Sequence, residues 1–461
     1  MPKVAVIGAG IAGLAAAHQL RQMGIEPVVL EAGSRAGGVI ASELIDGFLV
    51  ERGPNSIQSH SPLISDLIDQ LGIQDRVVRA SEGARNRFIV RDGRPVAAPL
   101  SPLQLAGSEL FGARAKLRLL REPFVAPGNP AIEESVADFI RRRLGGEFLD
   151  YGMNPFVGGV YAGDPERLSI RYAFPSLFRM EQESGSIIRG QIDRQRDASS
   201  ATDTHRMFSF RGGLQELPLA MAASLGDAIR YDSPVQEVRP SNGSWTILTD
   251  RSDHFDAIIA AVPLYRLATL IGHFVSELSP FRDVSYPPLS VVALGYRKTA
   301  IRHPLDGFGM LIPEVERSFQ ILGTLFTSSI FPGRAPEGHV LLTSFVGGAR
   351  RPELAGKSSD QLFDVVHADL SRLLGISDRP TFRHHVFWEH AIPQYTIGYG
   401  SVLRAADQLE EENSGVFVAG NFRNGISVGE TAQSGHDAAV RCSTFLARGK
   451  NGTTLPDFSA V

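Results

Sequence analysis

Cysteine and lysine are scarce in this chain. A single cysteine, Cys442, stands among 461 residues, which excludes a disulfide within the chain and any metal site built from several cysteines. We therefore predict no metal site, and the low cysteine content suits a reducing cytoplasm. The few lysines leave nearly all cationic charge to arginine, a bias to which we assign no function.

Long apolar runs and an excess of positive charge are also missing. No uninterrupted apolar stretch is long enough to span a bilayer. No charged segment precedes the predicted β-α-β unit, which begins at Lys3, so we expect no secretory signal. A net charge of -4 leaves no electrostatic footprint for nucleic acid. With 43% hydrophobic residues the chain can bury a large core, and its length predicts two or three lobes.

The first 31 residues predict a β-α-β unit that binds a dinucleotide. Residues 4–7 and 27–30 have the composition of buried strands, and residues 11–23 have helical periodicity. Gly8 permits the tight turn after the first strand, Gly10 lets the backbone approach a pyrophosphate, and Gly13 allows close packing of helix and strand. Glu31 follows at the spacing of an acid that binds a ribose hydroxyl. The glycines alone do not separate a nicotinamide from a flavin dinucleotide.

The next segments favour a flavin by resemblance. Residues 31–38, Glu-Ala-Gly-Ser-Arg-Ala-Gly-Gly, resemble the extended motif of amine-oxidase-like flavoproteins, in which the arginine and paired glycines lie along the FAD phosphates. The turn at Gly53 resembles one that lies near the isoalloxazine. By this resemblance the cofactor is FAD, and the expected cofactor-binding residues are Gly8, Gly10, Ile11, Ala12, Gly13, Glu31, Ala32, Arg35, Gly37, Gly38, Gly53, Pro54, Asn55, Val235, Ala261, Trp388, Gly420, Asn421 and Val428.

The rest of the chain predicts a mixed α/β and α+β fold: a Rossmann-like FAD-binding domain, an antiparallel-sheet substrate domain and a helical insertion. Alternating strands and turns in residues 290–348 predict an antiparallel sheet over a pocket. Residues 359–374 predict a helix, and residues 195–205 predict a loop. We assign residues 1–80, 205–262 and 413–461 to the FAD domain, 81–98 and 263–412 to the substrate domain, and the proline-broken stretch 99–204 to the insertion.

Several blocks together resemble the oxygen-dependent protoporphyrinogen oxidase family. The most specific is Phe-Val-Gly-Gly-Val-Tyr-Ala-Gly-Asp-Pro at 156–165, joined by Asn-Arg-Phe at 86–88, Leu-Gly-Thr-Leu-Phe at 322–326, Phe-Pro-Gly-Arg-Ala-Pro at 331–336 and Pro-Gln-Tyr at 393–395. The resemblance implies oxidation of a porphyrinogen through FAD, with dioxygen as acceptor, in haem biosynthesis. It implies a propionate partner at Arg87, apolar clamps at Leu311, Leu325 and Phe345, and a catalytic main-chain carbonyl at Gly159 that contacts the pyrrole nitrogens.

Two departures from the family and several alternatives stand beside this interpretation. Tyr399 follows Gly398 where the family usually has histidine, and Glu430-Thr431 replaces a common Asp-Cys pair. Because Cys442 lies beyond that motif, we expect non-covalent FAD. Coproporphyrinogen III is the alternative substrate. An amine oxidase, a carotenoid desaturase or a flavin-bound redox sensor without turnover are more distant alternatives.

Partners beyond the substrate and oxygen are also suggested. Residues 113–121 predict a basic amphipathic helix with Ala113, Leu117 and Leu120 on one face. This helix either packs on its own domain or lies on the cytoplasmic membrane, and both interpretations stay open. A homodimer is a further candidate assembly.

Overall fold

The computed structural model describes residues 2–58, 61–197 and 207–449. Its strands are β1 (Lys3–Ile7), β2 (Glu26–Leu30), β3 (Ser42–Ile45), β4 (Phe48–Glu51), β5 (Ile57–Gln58), β6 (Val77–Arg79), β7 (Asn86–Arg91), β8 (Arg94–Ala97), β9 (Met207–Phe210), β10 (Ile229–Arg230), β11 (Glu237–Ser241), β12 (Ser244–Leu248), β13 (Ser252–Phe255), β14 (Ala257–Ala260), β15 (Leu289–Arg297), β16 (Gly307–Leu311), β17 (Ile321–Leu325), β18 (His339–Gly347), β19 (Phe382–Trp388) and β20 (Val416–Val418).

Eighteen α-helices are present in the described residues. They are α1 (Ile11–Gln22), α2 (Pro62–Gln70), α3 (Pro102–Gly107), α4 (Ala113–Leu119), α5 (Val136–Arg143), α6 (Gly146–Phe148), α7 (Asn154–Tyr161), α8 (Ile170–Ala173), α9 (Pro175–Ser184), α10 (Ile187–Asp197), α11 (Glu216–Leu225), α12 (Leu264–Ile271), α13 (Ser279–Arg282), α14 (Thr327–Ile330), α15 (Pro352–Ala355), α16 (Ser359–Leu374), α17 (Gly400–Glu412) and α18 (Val428–Gly449). In the part of the chain that the structure describes, no helix has both the length and the apolar composition needed to cross a membrane.

A five-stranded parallel sheet forms the first centre of the fold. Its order is β10-β2-β1-β14-β20, and every neighbouring pair is parallel. The strands are apolar because both faces of such a sheet are covered by helices. On one face α1 crosses α18 so closely that a Cβ at Gly435 would lie 1.9 Å from the Ala12 carbonyl oxygen. The predicted β-α-β unit is thus confirmed as β1-α1-β2.

A seven-stranded, largely antiparallel sheet forms the second centre. Its order is β19-β15-β18-β17-β16-β7-β8, with one parallel pair, β16 and β7. One face packs against α16, where Met310, Val346 and Leu370 belong to a common buried cluster. The helix predicted at 359–374 is confirmed as α16, which begins with a capping box between Ser358 and Gln361.

Helices α3 to α10 lie between β8 and β9 in the chain. A buried ion-pair network joins α5, α9 and the turn at Glu122 within this stretch. The Arg143 guanidinium of α5 contacts the carboxylates of Glu122 and Glu181 at 3.2 and 2.6 Å. All three side chains are buried, so loss of one partner would leave an uncompensated charge. The loop predicted at 195–205 is wrong at its start, because α10 extends to Asp197, and residues 198–205 lie outside the described residues.

The packing differs from the predicted domain limits at two helices. Helices α12 and α17 fall inside the range 263–412 assigned to the substrate domain. Their apolar residues Leu264 and Val402, however, share a buried cluster with Ile7 and Ile258 of the parallel sheet. The reason is amphipathicity: each helix has an apolar face, and the parallel sheet offers the apolar surface that covers it.

A buried ion pair links the β3-β4 hairpin to the segment that leads into β18 of the seven-stranded sheet. Glu51, at the end of β4, lies 3.2 Å from the guanidinium of Arg334, which precedes β18. Ser42 donates its hydroxyl to the same carboxylate at 2.6 Å. Burial raises the pKa of Glu51, opposed by the charge of Arg334. Residues 52–55 follow this anchored strand directly.

Candidate active site

Two glycines of the first turn are dictated by packing. Gly8 has a φ of +99°, and a Cβ there would lie 2.8 Å from the Ala261 carbonyl oxygen. A Cβ at Gly13 would lie 1.9 Å from the carbonyl oxygen of Gly8. Any other residue at either position would displace backbone, so these glycines shape the turn between β1 and α1.

Gly10 has no such packing reason. A Cβ built on it meets no atom within 4 Å, because Gly10 borders a cleft of about 300 Å³. Helix α1 begins immediately afterwards, with no side-chain cap and no acidic residue in its first turn. Its amide N–H groups and the positive end of its dipole are therefore available to an anion in the cleft.

The Glu31 carboxylate is fixed at the edge of the cleft. One oxygen accepts the Ala9 amide N–H at 2.7 Å, and the other accepts that of Gly33 at 2.8 Å. A carboxylate has about four acceptor sites, so capacity remains for the hydroxyls of a ribose. The predicted role of Glu31 is chemically consistent with this placement.

The structure gathers most predicted cofactor residues around this cleft. Those that line it are Gly8, Gly10, Ile11, Ala12, Glu31, Ala32, Gly37, Gly38, Val235, Ala261, Gly420 and Asn421. Gly13 lies behind the turn, and Val428 is buried in the core at the start of α18. Sequence reasoning missed further lining residues, which are Ile7, Leu30, Val39, Ile40, Val262, Pro263, Arg266, Leu270 and Thr431. The signal for Arg266 and Leu270 was their position on the helix that follows a buried strand.

Arg35 has a different environment from the one expected. Its guanidinium donates to the carbonyl oxygens of Ala36, Gly38 and Ile40, at 3.2, 2.7 and 3.2 Å, and it does not line the cleft. Arg35 therefore holds the Gly37-Gly38 loop in shape. The contact with the phosphates carried over from the resemblance remains a prediction.

The start of α18 also differs from expectation, because its own residues cap it. The Ser427 hydroxyl accepts the Glu430 amide N–H at 3.2 Å, and the Glu430 carboxylate accepts that of Ser427 at 3.2 Å. This capping box occupies the amide groups of Ser427 and Glu430, which flank the expected cofactor residue Val428. Thr431, one residue further, is the residue of this helix that reaches the cleft.

The turn at Gly53 lies between Val39, which lines the cleft, and β19 of the seven-stranded sheet. A Cβ on Gly53 would lie 2.3 Å from the carbonyl oxygen of Val39, and the Trp388 indole donates to the Arg52 carbonyl at 2.8 Å. Pro54 follows, and the Asn55 amide donates to the Gly53 carbonyl at 3.1 Å. The side-chain amide oxygen of Asn55, Oδ1, is buried without a hydrogen-bond partner among the described residues. A buried polar atom of this kind fits a site completed by a bound group.

One face of the antiparallel sheet carries the predicted substrate residues. Strand register pairs Leu311 with Gly323 and Gly323 with Phe345, and it pairs Arg87 with Gly309 and Gly309 with Leu325. Because side chains alternate along a strand, all four predicted side chains share this face. The three apolar ones are half-buried, whereas Met310 and Thr324, on the opposite face, are buried.

Helix α7 lies against this half-buried face. A Cβ on Gly159 would lie 2.5 Å from Cδ2 of Leu311. The helix ends at Tyr161 and is capped by Ala162, whose φ is +47°; the amide N–H groups of Ala162 and Gly163 both bond to the Val157 carbonyl. In a continuing helix they would bond to Gly158 and Gly159. The Gly159 carbonyl is therefore released from the helix, and the residue is exposed.

Arg87 is exposed and free of carboxylates. Its guanidinium lies over the Phe308 ring, 5.4 Å from the centroid, and donates to the Arg85 carbonyl at 3.2 Å. Within the described ranges Arg87 forms no ion pair. Most donors of its planar fork therefore remain available for an anionic ligand.

Comparison with known proteins identifies the family. Residues 11–443 match the family described as flavin containing amine oxidoreductase. The chain belongs to this family. Among curated relatives, protoporphyrinogen oxidase 2 of Arabidopsis thaliana is 37% identical, over 96% of this chain and 94% of the relative. The mitochondrial protoporphyrinogen oxidase of Nicotiana tabacum is 36% identical, over 96% and 95%. Coproporphyrinogen III oxidase of Bacillus subtilis is 25% identical, over 96% and 98%.

Solved structures share the fold. A crystal structure of a protein from Exiguobacterium sp. 255-15 has a TM-score of 0.83 and 22% identity, covering 96% of this chain and 99% of the other. Reduced UDP-galactopyranose mutase has a TM-score of 0.75 and 18% identity, covering 99% and 100%. The predicted fold class is confirmed, and the chain is a flavin-dependent oxidoreductase of the protoporphyrinogen oxidase group.

The cofactor is FAD, and the residues of the cleft fit it. The free start of α1 suits the diphosphate, Glu31 suits the ribose, and Arg266 is the one cationic residue among those that line the cleft. Cys442 is buried in the core and does not line the cleft. Burial raises the pKa of its thiol to about 12, so it stays a neutral thiol.

Proposed function

We propose that this chain oxidises protoporphyrinogen IX to protoporphyrin IX, a six-electron oxidation with dioxygen as final acceptor. The observation that carries the proposal is the Gly159 carbonyl, which is released from α7 where that helix packs against the half-buried apolar face of the sheet. The names of the relatives that are 36 and 37% identical over nearly the whole chain support the same substrate. Bound FAD supplies hydride acceptance.

The residues of the chain have distinct tasks in this proposal. Leu311, Leu325 and Phe345 hold the flat macrocycle and exclude water from it. The Gly159 carbonyl accepts hydrogen bonds from the pyrrole N–H groups and orients them. Arg87 binds one propionate at the exposed start of β7. No acidic or basic side chain stands among the apolar clamps, so we infer that proton removal needs no side-chain base.

Turnover of both porphyrinogens tests the proposal. The FAD-loaded protein is incubated in parallel with protoporphyrinogen IX and coproporphyrinogen III, and porphyrin fluorescence and peroxide are followed. We expect faster turnover of protoporphyrinogen IX. A preference for coproporphyrinogen III would replace the substrate, and no oxygen consumption with either would favour a redox sensor.

Replacement of Arg87 by alanine is expected to raise KM about tenfold and to leave kcat within about twofold. The reason is that a charge-assisted hydrogen bond to a propionate contributes about 1.5–3 kcal/mol to binding, and the reacting ring lies elsewhere. Steady-state kinetics measure both constants. Arg94→Ala is a matched control, since Arg94 lies on the adjacent strand and already pairs with Glu109. An unchanged KM in Arg87→Ala would remove the assigned role.

We also propose that residues 100–124 contact an anionic membrane. Exposed apolar side chains are concentrated there: Leu103 is 85% exposed, Phe124 83%, Leu120 70% and Leu117 62%. Leu117 and Leu120 thus point outward, whereas Ala115 is the buried residue of α4. This geometry favours the membrane over packing on the protein itself, and the exposed arginines Arg114 and Arg121 suit anionic lipid.

Flotation with vesicles that contain phosphatidylglycerol tests this contact. Serine at Leu103, Leu117, Leu120 and Phe124 together is expected to abolish flotation, because each buried side chain contributes about 1.5–3 kcal/mol. Leu44→Ser, a change at an equally exposed leucine on β3, is the control and should float like the parent. A parent protein that stays at the bottom of the gradient would contradict the proposal.

The homodimer and the cytoplasmic location remain predictions. Light scattering coupled to size exclusion would determine the assembly. The division into FAD, substrate and helical parts also remains a proposal, supported by the separate parallel and antiparallel sheets.

A further inference from the structure

Residues 394–399 connect the end of α7, beside the predicted substrate face, to the loop at residues 420–422, beside the FAD cleft. At one end Gln394, which is buried, donates its amide to the Tyr161 carbonyl at 2.9 Å. Tyr161 is the last residue of α7, two positions after Gly159. A Cβ on Gly163 would lie 2.6 Å from the Gln394 carbonyl oxygen, so this side chain packs tightly against the end of the helix. Gln394 thus fixes the segment that releases the Gly159 carbonyl.

At the other end two phenols hold the loop at residues 420–422. The Tyr395 hydroxyl donates to the Asn421 carbonyl, and the Tyr399 hydroxyl donates to the Phe422 carbonyl at 2.8 Å. Gly420 and Asn421 line the FAD cleft. The other contacts of the loop include the Gly420 amide, which donates to the Ser434 hydroxyl at 3.1 Å, and the fully buried Phe422 side chain.

The two phenols form one buried unit. Their ring centroids are 4.4 Å apart, and each side chain is 2% exposed. Burial raises the pKa of both, so the hydroxyls stay protonated donors throughout the physiological range. A carbonyl left without its donor in this surrounding would be a buried, unsatisfied acceptor, which costs more than the hydrogen bond contributes.

We propose that Tyr399, together with Tyr395, is a positioning residue that keeps the 420–422 loop in the shape that binds FAD. Through Gln394 the same segment sets where the Gly159 carbonyl stands relative to that cofactor. Tyr399 occupies the position at which the family usually has histidine, so this chain uses a neutral phenol for the task. The part of the proposal that concerns Gln394 rests on the proposed function; the part that concerns Tyr399 does not.

Release of FAD from the holoenzyme tests the phenol. Free FAD regains its fluorescence after dilution, and we expect Tyr399→Phe to release it about tenfold faster, with KM for the porphyrinogen unchanged at saturating FAD. The matched control is Tyr296→Phe on β15, which removes an equally buried hydroxyl that contacts His367 of α16, away from the FAD cleft. A release rate in Tyr399→Phe within twofold of the parent, or equal acceleration in Tyr296→Phe, would overturn the proposal.

A second pair of variants keeps the test decisive. If Tyr399→Phe does not fold, Tyr399→His, which retains an N–H donor, is expected to fold and to release FAD within threefold of the parent; faster release would count against positioning. Gln394→Met is expected to lower kcat about tenfold and to leave FAD release unchanged. If Gln394→Met accelerates FAD release and spares kcat, the division of tasks is wrong. If the parent protein does not turn over the porphyrinogen, the proposed function is wrong, but the FAD release measured for Tyr399→Phe still tests the role of Tyr399.

Discussion

Alanine at Gly10 is expected to leave the apoprotein folded and to weaken FAD binding by about 100-fold, or about 2.8 kcal/mol. The new methyl group meets no protein atom within 4 Å, and the φ of -68° at Gly10 suits alanine. It projects into the cleft in front of the free end of α1, where the diphosphate has to approach the backbone. Titration of the apoprotein with FAD, followed by flavin fluorescence, gives the dissociation constant.

The neighbouring glycines do not allow this separation of folding from binding. Alanine at Gly13 would collide with the Gly8 carbonyl at 1.9 Å and would distort the turn itself. Gly107→Ala is the better control. A Cβ there also meets nothing within 4 Å, but Gly107 is the last residue of α3 and does not line the cleft. The thermal midpoint of the Gly10→Ala apoprotein should equal that of the parent. Unchanged FAD affinity would show that Gly10 does not border the diphosphate.

The cleft beside Gly10 could be predicted from the sequence because the constraints that shape it are local. The turn around Gly8, Gly10 and Gly13 and the acid at Glu31 lie within one β-α-β unit, and each glycine has a steric or approach reason that a sequence pattern preserves. The pattern could not predict that Arg35 would bond to three carbonyls of its own loop. That arrangement depends on how the loop folds back, which spacing does not reveal.

The substrate-binding residues could be proposed only from family resemblance. Arg87 and Leu325 reach one face because β7 pairs with β16, across more than 200 residues of sequence, and no local periodicity encodes that pairing. The sequence also could not predict that Leu117 and Leu120 are exposed to solvent. The helical pattern placed both on one face of α4, but it did not say whether protein or solvent lies opposite.

Alanine at Gly159 is expected to lower kcat/KM for the porphyrinogen by about 100-fold, about 2.8 kcal/mol of transition-state stabilisation. A Cβ there would lie 2.5 Å from Cδ2 of Leu311, so the leucine has to move along the half-buried face into the space proposed for the macrocycle. The Gly159 carbonyl would then no longer meet the pyrrole nitrogens at hydrogen-bond distance. Steady-state kinetics with saturating FAD measure the loss.

Gly158→Ala is a control one residue away on the same helix. A Cβ at Gly158 meets nothing within 4 Å, and alanine is a better helix former than glycine, so this variant should retain activity and gain about 0.5–1 kcal/mol in stability. In the double variant Gly159→Ala/Leu311→Ala the crowding is removed, and part of the activity should return if Leu311 transmits the effect. Gly159→Ala with more than half of the parental kcat/KM would mean that the macrocycle does not lie between α7 and the sheet. Because Gly10→Ala acts on FAD and Gly159→Ala on the porphyrinogen, the two results together separate the cofactor cleft from the substrate slot.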